Sequence, residues 1–158
     1  MTLLTSSVAT PVGPFSFTAR DGKVIEATFG SSQKLRARGR IVRSIPVISP
    51  ALRAYFGGEL EALEMIPVEL SATEFRTRVL RAMRRIPVGK TVSYKELARK
   101  SGFEDASRAV GSTCASNRIP LIIPCHRVIP SDGSIGAYGY GTKKKQWLLE
   151  FEGAISRS

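Results

Sequence analysis

Residues 119–130 constrain the fold more than any other part of this 158-residue chain. An apolar run leads to Pro124, which is followed by Cys125 and His126, and Pro130 closes the segment. Each proline locks its own backbone, cannot donate to a sheet ladder and biases the preceding residue toward an extended conformation. We therefore predict a buried, stiff segment that is neither a helix nor a regular strand.

The Cys125-His126 pair within this segment is a candidate for nucleophilic chemistry. A thiolate is the attacking form of cysteine, and a nearby imidazole can accept the thiol proton directly or through one water molecule. The structural alternative is that Cys125 is a small buried hydrophobe, as free cysteines often are, and that the two neighbouring side chains do not face each other. On these two residues alone both interpretations stay open.

The cysteine and histidine content excludes several classes of protein. With only Cys114, Cys125 and one histidine, the chain has no zinc-ligand set and no disulfide framework, which favours a reducing compartment. We predict no metal and no cofactor. Residues 1–14 lack the features of a secretory signal, and no apolar run is long enough to span a membrane, so we expect an intracellular protein, cytoplasmic or nuclear, without a membrane partner.

Basic charge is concentrated in the second half of the chain. Residues 1–73 contain eight Lys and Arg against six Asp and Glu, whereas residues 74–158 contain sixteen against seven, and the whole chain carries a net charge of +11. Such an excess is typical of proteins that bind a polyanion such as DNA, although a merely solvated surface is the alternative. A separate basic run, residues 34–43, reads as an exposed strand or loose loop, with phosphate contact as a secondary possibility.

The first part of the chain predicts a small sheet and one helix. Residues 3–9, 14–19 and 23–29 are rich in β-branched or aromatic residues and are separated by turn signals. Ser49 is the expected cap of a helix that has Pro50 at its first position and ends at Gly57-Gly58. The acidic residues 59–70 are expected to form a linker. These elements define an N-terminal α/β domain over residues 1–70.

Residues 71–158 are predicted to form a mostly helical second domain, so the fold class is α/β (α+β). Capping boxes at Ser71 with Glu74 and at Ser93 with Glu96 start two helices, and a third is expected over residues 106–116. The last two would form a helix-turn-helix. A final helix is expected to be capped by Thr142 and to end at Gly153.

The second helix of this motif is unusual for a DNA reader. It presents small residues, including Ala109 and Gly111, and Arg108 is its only long side chain. Base recognition in the major groove uses Arg, Asn or Gln along the helix. A helix of small residues suits close, sequence-indifferent docking on DNA, possibly in the minor groove, and ordinary tight helix packing is the alternative.

A glycine-rich loop and a helix with unfavourable charges follow the Cys-His segment. Residues 133–141 contain four glycines interleaved with Tyr138 and Tyr140, a composition that lets the backbone approach a flat ligand, or else makes a flexible hairpin. Lys145 lies in the first turn of the last helix and Glu152 at its end, and both have the wrong sign for the helix dipole. Glu152 would make sense as the partner of a histidine.

Several of these motifs occur together in a known family. The chain resembles the O6-alkylguanine-DNA alkyltransferases, DNA repair proteins that accept an alkyl group onto their own cysteine. The resemblance is close over about residues 72–153 and weak before them. The sequence stretches that carry it are Ile86-Pro87-Val88-Gly89-Lys90-Thr91-Val92-Ser93-Tyr94, Arg108-Ala109-Val110-Gly111, Asn117, Ile123-Pro124-Cys125-His126-Arg127-Val128, Gly136-Ala137-Tyr138 and Lys145-Gln146-Trp147-Leu148-Leu149-Glu150-Phe151-Glu152-Gly153.

The resemblance implies a ribonuclease H-like N-terminal domain, a winged helix-turn-helix-like motif and a single-turnover reaction on double-stranded DNA by a monomer. It implies that Cys125 is the nucleophile, activated through a water by His126, which Glu152 orients. Further implied residues near the reaction are Asn117, Tyr94 and Lys145. Those implied around the guanine are Val128, Tyr138 and Gly139, and those implied at the DNA are Arg108, Ala109, Gly111 and Ser93.

One departure and three rival functions accompany this resemblance. Family members commonly have proline after the hinge asparagine, whereas this chain has Arg118. A lesion-sensing DNA-binding protein without chemistry is one rival, but such proteins have another residue in place of the cysteine. A helix-turn-helix regulator would need base-reading side chains. A Cys-His hydrolase is the third, and the basic surface argues against it.

Overall fold

The computed structural model describes residues 2–157, which form two compact units. The first unit contains the chain up to Leu70 together with Arg118–Ile122, and the second contains Ser71–Asn117 and the chain from Ile123 onward. The predicted domain boundary at residue 70 coincides with the point where the first unit gives way to the second. That residues 1–70 and 71–158 fold as separate domains stays a prediction, and Arg118–Ile122 lies outside the unit to which it was assigned.

A four-stranded sheet forms the centre of the first unit. Strands β1 (Leu3–Thr10), β2 (Gly13–Arg20) and β3 (Lys23–Phe29) pair antiparallel in sequence, and the short β4 (Arg40–Ile41) lies parallel to β1 at the edge. The three predicted strands are thereby confirmed. Tight turns join them, because Gly13 and Gly22 adopt positive φ values that most residues disfavour.

Helix α1 (Ile48–Phe56) packs on β1 and buries Leu52 and Tyr55. The prediction that Ser49 caps it is wrong, because the helix begins at Ile48, two residues before the predicted first residue Pro50, and Val47 precedes it with φ 69°. The Ser49 hydroxyl instead accepts a hydrogen bond from the Ile45 N–H at 2.8 Å. The hydroxyl thus satisfies a backbone N–H of the segment before the helix and none of the N–H groups at the helix start.

The acidic stretch after α1 is not the linker that its composition predicts. It forms a 3-10 helix (Leu60–Met65) that buries Leu63, and Ile66 is also buried. Its end runs beside β3, where the Val24 N–H donates to the Pro67 carbonyl and the Glu69 N–H donates to the Val24 carbonyl, both at 2.9 Å. Backbone pairing with the sheet therefore makes this stretch part of the first unit.

A buried carboxylate organises the basic run of residues 34–43, whose cationic side chains are exposed. Glu26 on β3 accepts the backbone N–H groups of Arg36 at 2.9 Å and Ala37 at 2.8 Å. Glu26 also accepts a hydrogen bond from Arg118 Nη2 at 3.3 Å. The Ala27 N–H donates to the Arg118 carbonyl at 2.8 Å. The run is therefore an ordered loop ending in an edge strand. Arg118, which stands where family members commonly have proline, is anchored to the sheet.

Four helices and a two-stranded parallel sheet make the second unit. The helices are α2 (Glu74–Arg84), α3 (Tyr94–Lys100), α4 (Ser107–Ala115) and α5 (Thr142–Phe151), and the strands are β5 (Val92–Ser93) and β6 (Val128–Ile129). The mixed α/β fold class and the predicted helices are confirmed. Within residues 2–157 no helix is both long and apolar enough to cross a bilayer.

The helix caps of the second unit are only partly as predicted. The Ser93 hydroxyl accepts the Glu96 N–H at 3.0 Å, which confirms the cap of α3. Thr73 caps α2 by accepting the Arg76 N–H, so the prediction of Ser71 as its cap is wrong. Gly141, with φ 99°, precedes α5, and Thr142 is its first residue rather than its cap. Each capping error is a shift of one or two residues toward a backbone better suited to the helix start.

We predict that Glu26→Ala destabilises the first unit. Removing the carboxylate leaves the N–H groups of Arg36 and Ala37 without their acceptor, and a part-buried donor left unsatisfied costs about 1–3 kcal/mol. Chemical denaturation would measure the loss. The exposed Glu64→Ala is the matched control and should change the free energy of unfolding by less than about 0.5 kcal/mol. Equal effects of the two substitutions would contradict this role of Glu26.

Candidate active site

The Cys125 segment is buried and irregular, as the prolines predict. The Cys125 N–H donates to the Ile123 carbonyl at 2.8 Å across Pro124, whose φ of −81° and ψ of 68° define an inverse γ-turn. One turn of 3-10 helix (Cys125–Arg127) follows and leads directly into β6, which pairs with β5. Pro124 suits the γ-turn because the ring already fixes φ near this value. The turn places Cys125 at the start of a short rigid element.

Asn117, just after α4, braces this segment. Its Nδ2 donates to the Ile123 carbonyl at 2.9 Å, which ties the end of α4 to the residue two before Cys125. The Asn117 side chain also hydrogen-bonds the Cys125 thiol and thereby acts to lower its pKa. The structure thus brings together two of the residues that the resemblance singles out.

His126 and Glu152 form the pair that the sequence predicts. His126 Nε2 lies 2.9 Å from Glu152 Oε2, and both side chains are completely shielded from solvent. Glu152 reaches this position because it directly follows the last turn of α5, while His126 lies in the 3-10 turn. Within residues 2–157, His126 Nδ1 has no hydrogen-bond partner among the protein atoms. The second imidazole nitrogen therefore keeps its capacity to exchange a proton.

Sequence reasoning missed Arg127, the third member of this cluster. Its Nε donates to Glu152 Oε1 at 2.8 Å, its Nη2 to Glu152 Oε2 at 2.9 Å and its Nη1 to the Ile86 carbonyl at 2.8 Å. Arg127 is only 6% exposed. The available signal was an arginine inside an otherwise apolar buried run, since a buried guanidinium requires an anionic partner.

The buried groups of the cluster have shifted pKa values. Burial lowers the pKa of His126, and the positive charges of Arg127 and Lys145 add to that effect, while Glu152 opposes it. Burial alone would raise the pKa of Glu152, but its interactions with His126 and with the Arg127 guanidinium lower it well below its usual range. The site therefore holds a neutral imidazole beside an ionised carboxylate at neutral pH.

Lys145 uses its buried ammonium to hold the glycine-rich loop. Its Nζ donates to the Val128 carbonyl at 2.8 Å and to the Ala137 carbonyl at 3.2 Å. Gly136, with φ 79°, passes so close that a Cβ there would lie 2.7 Å from Pro130 Cδ. The lysine thus connects β6 to the loop that carries Tyr138 and Gly139, and its unfavourable place in the first turn of α5 is explained by this contact.

The two thiols and Tyr94 influence one another electrostatically. Burial raises the pKa of Cys114 to about 12, and the nearby Cys125 adds to this rise. Burial also raises the pKa of Cys125, while Asn117, Lys145 and backbone hydrogen bonds oppose the rise. The pKa of the half-buried Tyr94 is raised by burial and by both thiols. Lys145 and a backbone hydrogen bond favour the thiolate form of both cysteines, and Cys125 has in addition the Asn117 side chain and the His126 backbone.

Helix α4 exposes small residues, as its sequence indicates. Arg108, Ala109 and Ser112 are exposed, whereas Val110 and Thr113 are buried. Gly111 lies against α3, where an added Cβ would meet the Tyr94 ring at 3.9 Å. The residues assigned to DNA thus lie on α4 and at the start of α3, apart from the hydrogen-bonded His126 cluster. Among residues 2–157 no group of His, Cys, Asp and Glu side chains is arranged to hold a metal ion.

Comparison with known proteins places this site in a family. Residues 74–154, about half of the chain, match the family model described as 6-O-methylguanine DNA methyltransferase, DNA binding domain. The chain is 39% identical over 108 residues to a methylated-DNA–protein-cysteine methyltransferase of Shigella flexneri and 46% identical over 101 residues to one of Mycolicibacterium paratuberculosis. These matches cover 68% and 64% of this chain but only 63% and 61% of the two relatives, which is less than two thirds of either.

The similarity to a solved structure extends over more of the chain. The crystal structure of Mycobacterium tuberculosis OGT in complex with DNA superposes with a TM-score of 0.84 at 32% sequence identity. This comparison covers 96% of the present chain and 93% of the mycobacterial one. The overall fold, and not only the Cys-His segment, is therefore shared.

We predict that the protein loses stability on acidification from pH 7. Because the pKa of His126 is lower in the folded protein than its ordinary value of 6.5, the unfolded chain binds the extra proton, and stability falls as the pH drops through that value. The pKa of Glu152 is also lower in the folded protein, so stability continues to fall below about pH 4.5. Denaturation at several pH values should show a slope of up to about 1.4 kcal/mol per pH unit.

The single histidine makes the control simple. In His126→Gln the slope between about pH 6.5 and 5 should disappear, since no other side chain ordinarily titrates there. A flat profile in the unsubstituted protein, or the same slope in the variant, would contradict a neutral buried imidazole.

Proposed function

The chain belongs to the 6-O-methylguanine DNA methyltransferase family, and on that premise we propose that it repairs DNA by transferring the alkyl group of O6-alkylguanine to its own Cys125. The observation that carries the proposal is the hydrogen-bonded cluster that begins at the residue after Cys125. His126 directly follows Cys125, is held by Glu152 at 2.9 Å and has its Nδ1 unengaged by protein atoms of residues 2–157. This arrangement provides a nucleophile with an oriented base.

The reaction is a displacement at the alkyl carbon. His126 accepts the Cys125 proton, directly or through one water molecule, and the resulting thiolate attacks. The bond between sulfur and the alkyl carbon forms while the bond between that carbon and guanine O6 breaks, and the electron pair of the broken bond goes to guanine. Tyr94 donates a proton to guanine N3 and is later reprotonated as His126 releases its proton. Overall, the thiol hydrogen is exchanged for the alkyl group, and guanine regains a proton.

The thioether product makes the reaction stoichiometric. A thioester intermediate can be hydrolysed, but the alkyl carbon–sulfur bond offers water no comparable route. Each molecule therefore reacts once. A rigid backbone around Cys125 is sufficient for such a protein, because the thiol does not have to be restored for a second substrate.

The guanine is proposed to be held by backbone groups around the thiol. The carbonyls of Cys125 and Val128 accept hydrogen bonds from the exocyclic amine, the Gly139 N–H donates to O6, and Tyr138 forms a wall of the pocket. The Val128 carbonyl already accepts Lys145 Nζ at 2.8 Å, but a carbonyl oxygen has two lone pairs and can accept a second donor. Lys145 thereby fixes both this carbonyl and the loop that carries Gly139.

The DNA partner must deliver the base from the duplex, because Cys125 is buried. Extruding a nucleotide costs a few kcal/mol, and an inserted side chain can fill the space it leaves. Arg108 is the long side chain at the start of α4, while Ala109 and Gly111 let the helix approach the minor groove and Ser93 lies at the start of α3. The related mycobacterial protein was solved in complex with DNA, which supports a DNA partner here. We propose that a monomer acts on double-stranded DNA.

Intact-protein mass spectrometry would test the alkyl transfer. Incubation with an oligonucleotide containing O6-methylguanine should add one methyl group to each protein molecule and no more. Cys125→Ala should gain none. Cys114→Ser, a matched change of the other thiol, should still gain one, because the proposed acceptor is Cys125. An unchanged mass of the unsubstituted protein would reject the proposed function.

Comparison of duplex and free-base substrates would test the role of Arg108. Arg108→Ala should slow alkyl transfer from duplex DNA at least tenfold, the equivalent of about 1.4 kcal/mol of lost stabilisation, yet leave the rate with a free O6-alkylguanine base nearly unchanged. Arg99→Ala, an exposed arginine on α3, is the control for the loss of one positive charge. Equal slowing of Arg108→Ala with both substrates would remove this residue from base extrusion.

A further inference from the structure

We propose that Arg127 is a positioning residue that fixes the tautomer of His126, so that Nε2 carries the proton and Nδ1 is the basic nitrogen. The inference rests on the proposed function only in identifying the Cys125 proton as the one that Nδ1 accepts. The hydrogen bonds of the buried cluster support this role of Arg127.

The guanidinium of Arg127 is held at three points. Nε and Nη2 donate to the two oxygens of Glu152 at 2.8 and 2.9 Å, and Nη1 donates to the Ile86 carbonyl at 2.8 Å. Such a bidentate pair fixes both the position and the plane of the carboxylate. A lysine could supply the charge but could not occupy these three acceptors in one plane.

The carboxylate held in this way dictates where the imidazole proton lies. Glu152 Oε2 accepts from Arg127 and lies 2.9 Å from His126 Nε2. A protonated Glu152 could donate to Nε2 and leave the imidazole proton on Nδ1, which would then be unable to accept from Cys125. Two donors and a permanent positive charge from Arg127 exclude that protonated form, so Glu152 can only accept and Nε2 must donate.

Charge reinforces the same state of the imidazole. The charged groups that act on His126 are Glu152 after α5, Lys145 within α5 and Arg127 beside it. Burial lowers the pKa of His126 most, and the two cations lower it further, against the opposing effect of Glu152. Arg127 therefore keeps the histidine neutral as well as oriented, and both conditions are needed for a base.

A purely structural role of Arg127 would have different consequences. The same contacts link the residue after α5 to Ile86, which follows α2, so their loss would destabilise the unit in either case. Only the proposed role also changes the imidazole proton. Stability alone cannot separate the two roles, whereas a direct measurement of the tautomer can.

Imidazole 15N NMR provides that measurement, because the chain contains one histidine and its two ring nitrogens need no assignment among others. In the unsubstituted protein at pH 7 we expect a protonated Nε2 and an unprotonated Nδ1. Arg127→Lys keeps a cation and should retain this tautomer. Arg127→Met removes the charge, and we expect mixed tautomers and a His126 pKa raised by about one unit or more.

The alkyl-transfer rate with a free O6-alkylguanine base gives the functional readout without DNA binding. The acidic limb of its pH profile should move upward by about one pH unit in Arg127→Met and much less in Arg127→Lys. Arg20→Met is the matched control, since Arg20 forms an Arg–Glu contact of the same 2.8 Å length with Glu69 in the first unit. It should leave the tautomer and the pH profile unchanged.

Three results would overturn the inference. They are an Nδ1 proton in the unsubstituted protein, an Arg127→Met variant that loses stability but keeps both tautomer and pH profile, and a double variant with the tautomer unchanged. The double variant, Arg127→Met with Glu152→Gln, serves if the single one does not fold, because it buries no unpaired charge. Its amide can donate or accept, so a single Nε2–H tautomer should be lost. Failure of the proposed function would appear separately, as the absence of methyl transfer with the tautomer intact.

Discussion

The buried Glu152 carboxylate, hydrogen-bonded to three side-chain nitrogens, is the interaction on which the second unit depends. Arg127 donates two hydrogen bonds to it, at 2.8 and 2.9 Å, and His126 Nε2 lies 2.9 Å from Glu152 Oε2. A buried carboxylate without such partners would cost several kcal/mol or take up a proton. Because the donors and the acceptor come from distant parts of the chain, the cluster can form only when α5 packs against the Cys125 segment.

Several charges at the ends of helix α5 oppose its dipole, and two of them, Lys145 and Glu152, belong to the site. Lys145 lies in the first turn and Glu152 follows the last, where each costs a few tenths of a kcal/mol or more in an isolated helix. In the folded unit Lys145 binds two carbonyls and Glu152 binds the His126 cluster. Charged hydrogen bonds in a buried setting outweigh the dipole term, so the helix tolerates both residues.

The rigidity of the cysteine mount matches the proposed chemistry. Pro124, the γ-turn and Asn117 fix the backbone, and Arg127 and Glu152 fix the imidazole plane. An acceptor that reacts once gains nothing from mobility at its nucleophile. In the proposed function the energetic cost falls instead on the DNA, whose base has to leave the stack to reach a buried thiol. On this proposal, the unit that holds the thiol must also bind the DNA, and it contains both the excess of basic charge and the small-residue helix.

Local sequence signals predicted much of this protein because they act over a few residues. The three strands, the Ser93 cap and the small-residue face of α4 follow from turn residues, capping and side-chain size, and the wrong-sign charge of Glu152 pointed to His126. The resemblance to the alkyltransferases added the residue roles. The caps predicted at Ser49 and Ser71 were each wrong by two residues, because Thr73 caps α2 and the Ser49 hydroxyl accepts the Ile45 N–H instead.

The tertiary structure decided the contacts between residues far apart in the sequence. It alone showed that Arg127 holds Glu152, that Lys145 holds the glycine loop and that residues 59–70 pair with β3 rather than forming a linker. Sequence patterns determine which residues prefer burial, turns or helix ends, because these preferences are local. Which donor meets which acceptor depends on how the elements pack, and only the packed fold fixes the partners of a buried charge.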